Sequence, residues 1–333
     1  VTALLRAELA RAAARPLVWL VAAGLVLGAI GLVALGWWET RPPSAAEVAA
    51  ADLAYQDVLG AWEADGDARI AKCRDLEATL RAEQPGQDLD LGCDAMAPVP
   101  EMFLPLRPGL GELLDGRLPS IGVMLVLGLL MVGVGLVTSD LQSGAMGTWL
   151  TFAPRRGRVL VSRLVAAVVA ALPCGLLALA VLVAGLALVC AVHGTSLAVP
   201  AAEWASMGGR AGRWLVAGLG ATALGVGLAF ALRHAAAVTG LVVWWGAAIE
   251  SALPLVLPSA RWLPLSTNLT AWTSGQADYG VETCVPDPRV PGGEVCEEVL
   301  HVVGMGQGAL VTGAMVVVAL VAGWVVFRLR DVP

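Results

Sequence analysis

Long apolar blocks separated by short polar ones set the pattern of this chain. Six blocks are long enough to cross a hydrocarbon core of about 30 Å as helices: 16–38, 119–138, 159–192, 214–232, 235–252 and 304–327. Between them lie an 80-residue polar insert (39–118), a basic loop (139–158), a short polar loop (193–213), a two-residue turn at Arg233-His234 and a proline-broken segment (253–303); a short tail (328–333) follows the last block. The expected fold class is therefore an all-α polytopic membrane protein with six transmembrane helices, an N-terminal interfacial helix and a helical extracellular insert between spans 1 and 2.

The periodicity refines this outline. In residues 1–15 a helical wheel groups Leu5, Leu9, Ala12 and Ala13 apart from Glu8, Arg11 and Arg15, the pattern of a helix lying in the headgroup plane. A cleavable signal peptide is the competing reading. It is set aside because the apolar run has full-span length and ends in Gly36-Trp37-Trp38, which reads as an aromatic belt. Residues 44–82 predict two helices broken near Asp65-Gly66-Asp67, and 98–108 a proline-punctuated return. Pro119 is expected to open the second span, whose Gly122, Gly128, Gly133 and Gly135 would let helices approach closely in lipid. The third span is longer than one crossing needs and predicts a tilt or a kink at Pro173. Residues 253–275 are apolar but interrupted, and predict a re-entrant hairpin buried by protein.

Composition sharpens the picture at few points. The chain is 58% apolar and 14% charged, which excludes an ordinary soluble domain. Its single lysine, Lys72, does not follow a glycine-rich turn, so the chain has no phosphate-binding Gly-Lys-Ser/Thr loop and is not an ATPase of that type. Its three histidines are too scattered for a metal cluster, and no Ser/His/Asp or paired-carboxylate constellation emerges; no cofactor, metal or nucleic acid is expected on this chain. The arginines concentrate in the N-terminal segment, the 139–158 loop, the Arg233 turn and the C-terminus, while the longer inserts are acidic, so the positive-inside rule places both termini in the cytoplasm. Cys73 with Cys93, and Cys284 with Cys296, fall on the other side, where an oxidising compartment allows bridges. The spacings fit no common zinc site.

The loop after the second span carries the strongest local pattern. Ser139 followed by Gln142 reads as a capping box that would start a helix. Leu141, Ala145, Trp149 and Phe152 would share one face of it, Pro154 would end it, and Arg155, Arg156 and Arg158 follow at once. On composition alone this is an interfacial loop whose arginines fix topology. The order Asp140, Ser143-Gly144, Leu150, Pro154, Arg155-Arg156 resembles the signature loop of ABC-2-type exporter permeases, with Asp140 where glutamate is usual and Ala145-Met146 where that family often has Thr-Met or Thr-Leu.

The resemblance, which with the span layout covers nearly the whole chain, implies the transmembrane permease subunit of an ATP-driven exporter in a bacterial cell membrane. The loop would be a coupling helix, with Asp140, Gly144, Trp149, Leu150, Pro154, Arg155 and Arg156 contacting a separate ATPase subunit. Two copies of that subunit would carry the ATP and Mg, and a second permease chain, identical or not, would complete the path. Other classes stay open: an ATP-independent secondary transporter, or a membrane sensor or immunity protein with an extracellular ligand-binding domain. Within the spans Glu250 stands out. It reads either as an interfacial acid, solvated or paired with Arg261, or, with Trp244 and Trp245, as part of an outer gate or substrate contact.

Overall fold

A computed structural model describes residues 2–83, 90–152, 155–286 and 294–330. Six helices in it are long and apolar enough to cross a membrane: Pro16–Thr40, Leu110–Gln142, Arg156–His193, Ala201–Leu232, Ala235–Val256 and Met305–Leu329. The chain is an all-α polytopic membrane protein with one small β element. In order, α1 is Thr2–Ala13, α2 Pro16–Thr40, α3 Ala45–Glu83, α4 Leu110–Gln142, α5 Ala145–Phe152, α6 Arg156–His193 and α7 Ala201–Leu232. Then come α8 (Ala235–Trp244), a π-helical turn (Trp245–Glu250), α9 (Ser251–Val256), α10 (Leu265–Ser274), an antiparallel hairpin of β1 (Gln276–Pro286) and β2 (Glu294–Gly304), and α11 (Met305–Leu329).

Helix α4 is the centre of the bundle. Ile121, Leu125, Leu129, Val132 and Val137 are fully buried along it, and α2, α6 and α7 pack around it. The glycines in its sequence set the distance to α7. A Cβ on Gly133 would lie 2.1 Å from the Thr222 carbonyl oxygen, and one on Gly225 of α7 would lie 2.5 Å from the Leu130 carbonyl. The helices therefore meet backbone to backbone, and the Thr222 hydroxyl donates across the contact to the Leu129 carbonyl at 3.0 Å. Helix α11 joins α7 the same way, with Gly323 against the carbonyl of Gly227 and Phe230 packed on Phe327 at 4.7 Å between centroids.

The two ends of the bundle differ in chemistry. One end gathers α1, the α4–α6 loop, the α7–α8 turn and the end of α11, and so carries both ends of the chain. At the other end Arg107 ties the last turn of α2 to that of α6, donating to the carbonyls of Thr40 (3.0 Å) and His193 (2.5 Å). The insert and the hairpin extend from that end.

Several expectations need correction. Helix α3 runs unbroken through Asp65-Gly66-Asp67, because Gly66 is buried beneath the Trp62 ring and Asp65 pairs with Arg69 one turn on, at 3.0 Å. Helix α4 starts at Leu110 rather than Pro119. The Glu112 carboxylate accepts from the Gly109 amide at 3.1 Å, which starts the helix nine residues early, and Pro119 is accommodated inside it. Helix α7 begins at Ala201, inside the predicted polar loop. Residues 253–275 comprise the end of α9, a 3-10 turn (Pro258–Ala260) and the short helix α10, which packs on α11 and leads into the β-hairpin.

Both cysteine pairs are bonded. Cys73 on α3 joins Cys93 in the return segment, and Cys284 sits directly opposite Cys296 in the hairpin register. The turn between β1 and β2 lies outside the described residues.

Candidate functional site

The site builds up from an unusual property of α1. Its apolar residues alone do not decide which face turns inward. Glu8 is 3% exposed and Ala12 2%, so the face carrying Glu8 and Arg11 packs against the bundle, chiefly on α6. Helix α1 is thus held by its charged residues as well as by its apolar ones, since those charges have partners on the bundle. Asp140 lies in the last turn of α4, with its side chain 3% exposed, and Arg163 lies two turns into α6, with its side chain 4% exposed. Arg163 Nη1 lies 3.0 Å from Glu8 and also pairs with Asp140. Arg11 reaches Asp140 at 3.4 Å, and Arg15, just after α1, pairs with Asp140 and donates to the Leu136 carbonyl at 3.4 Å. Five charged residues, from α1, the turn after it, α4 and α6, thus close into one network around the buried Glu8, Asp140 and Arg163. Burial pushes the Glu8 carboxyl above the ordinary glutamate range, against the pull of Arg163 and Arg11.

The loop between α4 and α6 hangs from this network. Helix α4 continues through Ser139 to Gln142, and the Ser139 hydroxyl donates to the Gly135 carbonyl at 2.7 Å, so the predicted capping box is not formed. The turn comes instead at Gly144, which adopts φ +72°, a left-handed conformation that suits glycine, before α5 begins at Ala145. Leu141 and Ala145 therefore belong to different helices. Met146 is fully buried and seats α5 against the bundle. Trp149 and Leu150 lie on α5, but their side chains, like all of Pro154, are outside the described residues.

Arg155 and Arg156, adjacent in sequence, diverge at the start of α6. Arg155 is exposed. Arg156 turns inward and donates through Nη1 to the carbonyls of Phe327 (2.7 Å), Arg328 (3.2 Å) and Arg330 (2.8 Å), capping the C-terminal end of α11. Its guanidinium also lies 5.8 Å from the centre of the Phe327 ring. Gln142 approaches His234 at 3.4 Å, linking the start of the loop to the α7–α8 turn. The loop is held at its first end by Asp140 and at its last by Arg156.

The second candidate group resolves differently. Glu250 does not pair with Arg261, whose guanidinium donates to the carbonyls of Gly280 (2.6 Å) and Pro254 (3.4 Å). Glu250 accepts from the Trp245 indole (2.7 Å), the backbone amides of Leu265 (2.8 Å) and Ser266 (2.9 Å), and the Ser266 hydroxyl (2.5 Å). It is a remote N-cap for α10, supplying the acceptor that Pro264, at the cap position, lacks. Trp244 is 56% exposed on the surface of the single chain.

Compared with protein-family models, with curated proteins and with solved structures, the chain matches none.

Proposed function

We propose that this chain is the transmembrane permease subunit of an ATP-driven exporter, which forms the translocation path and is moved by a separate ATPase subunit docking on the α4–α6 loop. What supports the reading is the construction of that loop. A short helix projects at the end of the bundle that holds both chain ends, anchored on one side to α1 and α6 through Asp140 and on the other to α11 through Arg156. A force applied to α5 is then delivered to four helices at once. The exposed Gly144 turn and Arg155 are the surface offered to the partner; Asp140 and Arg156 are the anchors behind it. The arginine-rich end lies in the cytoplasm of a bacterial cell, with both termini, and two permease chains enclose the path.

Charge reversal separates docking from anchoring. The chain is purified from its native host in mild detergent and the ATPase that accompanies it is quantified. Arg155→Glu should release that ATPase while the bundle keeps its helicity and thermal stability. A wild-type chain that purifies without any ATPase, under conditions that keep a known transporter complex together, refutes the proposal, and ion-coupled transport becomes the assay to run.

A further inference from the structure

A cavity lies at the opposite end of the molecule, where α2 leaves the apolar zone. It measures about 430 Å³ and is lined by Trp38, Glu39, Arg41, Glu47 and the proline-rich return around Leu106. That volume is within the range of small-ligand sites. The floor already holds a cation: the Arg41 guanidinium sits 4.5 Å from the centre of the Trp38 ring and 2.8 Å from the Glu47 carboxylate. Glu39, on the same wall, pairs with Arg117 and keeps about half of its side chain exposed. An aromatic face and two carboxylates form a seat for an ammonium group, and Arg41, once displaced, is a phosphate partner within the same cavity. Below the mouth, Trp38, Leu35, Gly31, Leu27, Gly24 and Leu20 recur at steps of three and four along the exposed face of α2. Nothing covers Gly24 or Gly31, so the stripe is an uncovered apolar face that meets the cavity at Trp38.

We infer that this cavity binds the headgroup of a zwitterionic aminophospholipid, with its ammonium between Glu39, Glu47 and the Trp38 ring, its phosphate on Arg41, and one acyl chain along the α2 stripe. The chain's own Arg41 occupies the cation seat when lipid is absent. The inference does not depend on the exporter reading.

The test uses the full chain, delipidated in detergent and titrated by calorimetry with dihexanoyl phosphatidylethanolamine and with dihexanoyl phosphatidylglycerol, which has the same tails and phosphate but no ammonium. The ethanolamine lipid should bind about tenfold more tightly, the scale of one partly desolvated cation–aromatic and carboxylate contact. Glu39→Gln with Glu47→Gln should abolish that preference; glutamine at 47 keeps the reciprocal cap with Ser44 that starts α3. Leu106→Trp is an independent variant. Leu106 is 85% exposed, so the larger ring fills the mouth without disturbing the fold, and it should weaken the ethanolamine lipid alone. Equal affinity of the wild type for both lipids, or a preference that survives Leu106→Trp, overturns the inference.

Discussion

Asp140→Asn tests whether the charged network is a structural keystone or a surface ornament. The replacement keeps the shape of the side chain, so packing is unchanged and only charge and acceptor capacity are lost. In the wild type the carboxylate is 3% exposed and faces Arg11, Arg15 and Arg163, with Glu8 as the other acid of the cluster. An exposed pair would contribute about 0–1 kcal/mol. Removing one partner from a buried pair costs about 3–5 kcal/mol, because the opposite charge stays buried and uncompensated. The remaining Glu8 and the Asn carbonyl offset part of this, so a loss of about 3 kcal/mol is expected.

The measurement is reversible unfolding in mixed micelles of mild detergent and dodecyl sulfate, followed by far-ultraviolet circular dichroism. Arg163→Met, measured alone and in the double variant, completes a cycle. The double variant should be less damaged than the two single losses predict together, by about 1–3 kcal/mol, since the second substitution removes a charge that the first has stranded. A loss below about 1 kcal/mol for Asp140→Asn, additive with Arg163→Met, would refute the buried-network account and with it the anchoring of the loop.

Three further outcomes follow from other parts of the bundle. Gly133→Ala should destabilise by about 1–3 kcal/mol or more in the same assay, because the new methyl group meets backbone at Thr222 rather than a side chain that can swing away. Glu250→Gln should weaken the start of α10 by about 1.5–3 kcal/mol. Hydrogen exchange should quicken at Leu265–Ser274 while α4 stays protected. Cys73→Ala with Cys93→Ala opens a loop closed across 20 residues, and should cost the insert about 3 kcal/mol. Faster proteolysis of α3 with an unaltered membrane bundle is the expected readout.

The spans were legible because their signal is additive. Some twenty apolar residues in a row outweigh any single exception, and the glycines of α4 carried the further information that backbones meet there. Boundaries were less so, because each is decided by one local bond that periodicity does not register. The Gly109–Glu112 contact moved the start of α4, and the Ser139 hydroxyl, which serves equally as a cap or as a donor to Gly135, hid the end. In α3, glycine between two aspartates reads as a break, yet the Trp62 ring covers it. The β-hairpin was visible only through its cysteines and the proline- and glycine-rich residues between them, although β1 and β2 hold more valines than prolines or acids. The charged network was the hardest to see. Glu8, Asp140 and Arg163 are each ordinary at the end of a membrane segment, and nothing in their spacing reports that three helices bring them together. A sequence signal did exist: Glu8, Arg11 and Arg15 recur at steps of three and four, and half of the apolar group set against them is alanine, a weak membrane anchor.

The two neighbouring arginines show what this adds to a reading of the loop. In sequence Arg155 and Arg156 are interchangeable contributions to a basic exit. In the fold one faces solvent and the other closes the end of α11, so their substitutions should fail differently. Arg155→Glu leaves the anchor intact and removes only a surface charge. Arg156→Glu brings a carboxylate against the carbonyls of Phe327, Arg328 and Arg330, where repulsion at the negative end of a helix frees the last turn of α11. A lever works only if its ends are fixed, since a push on a loosely held loop is absorbed by the loop. On the proposed coupling, Arg156→Glu should therefore keep an ATPase partner bound while uncoupling its nucleotide cycle from the bundle. Arg155→Glu should lose the partner outright. If both variants lost the partner equally with α11 undisturbed, the loop would be a docking surface throughout, and its attachment to α11 would have no part in transmitting force.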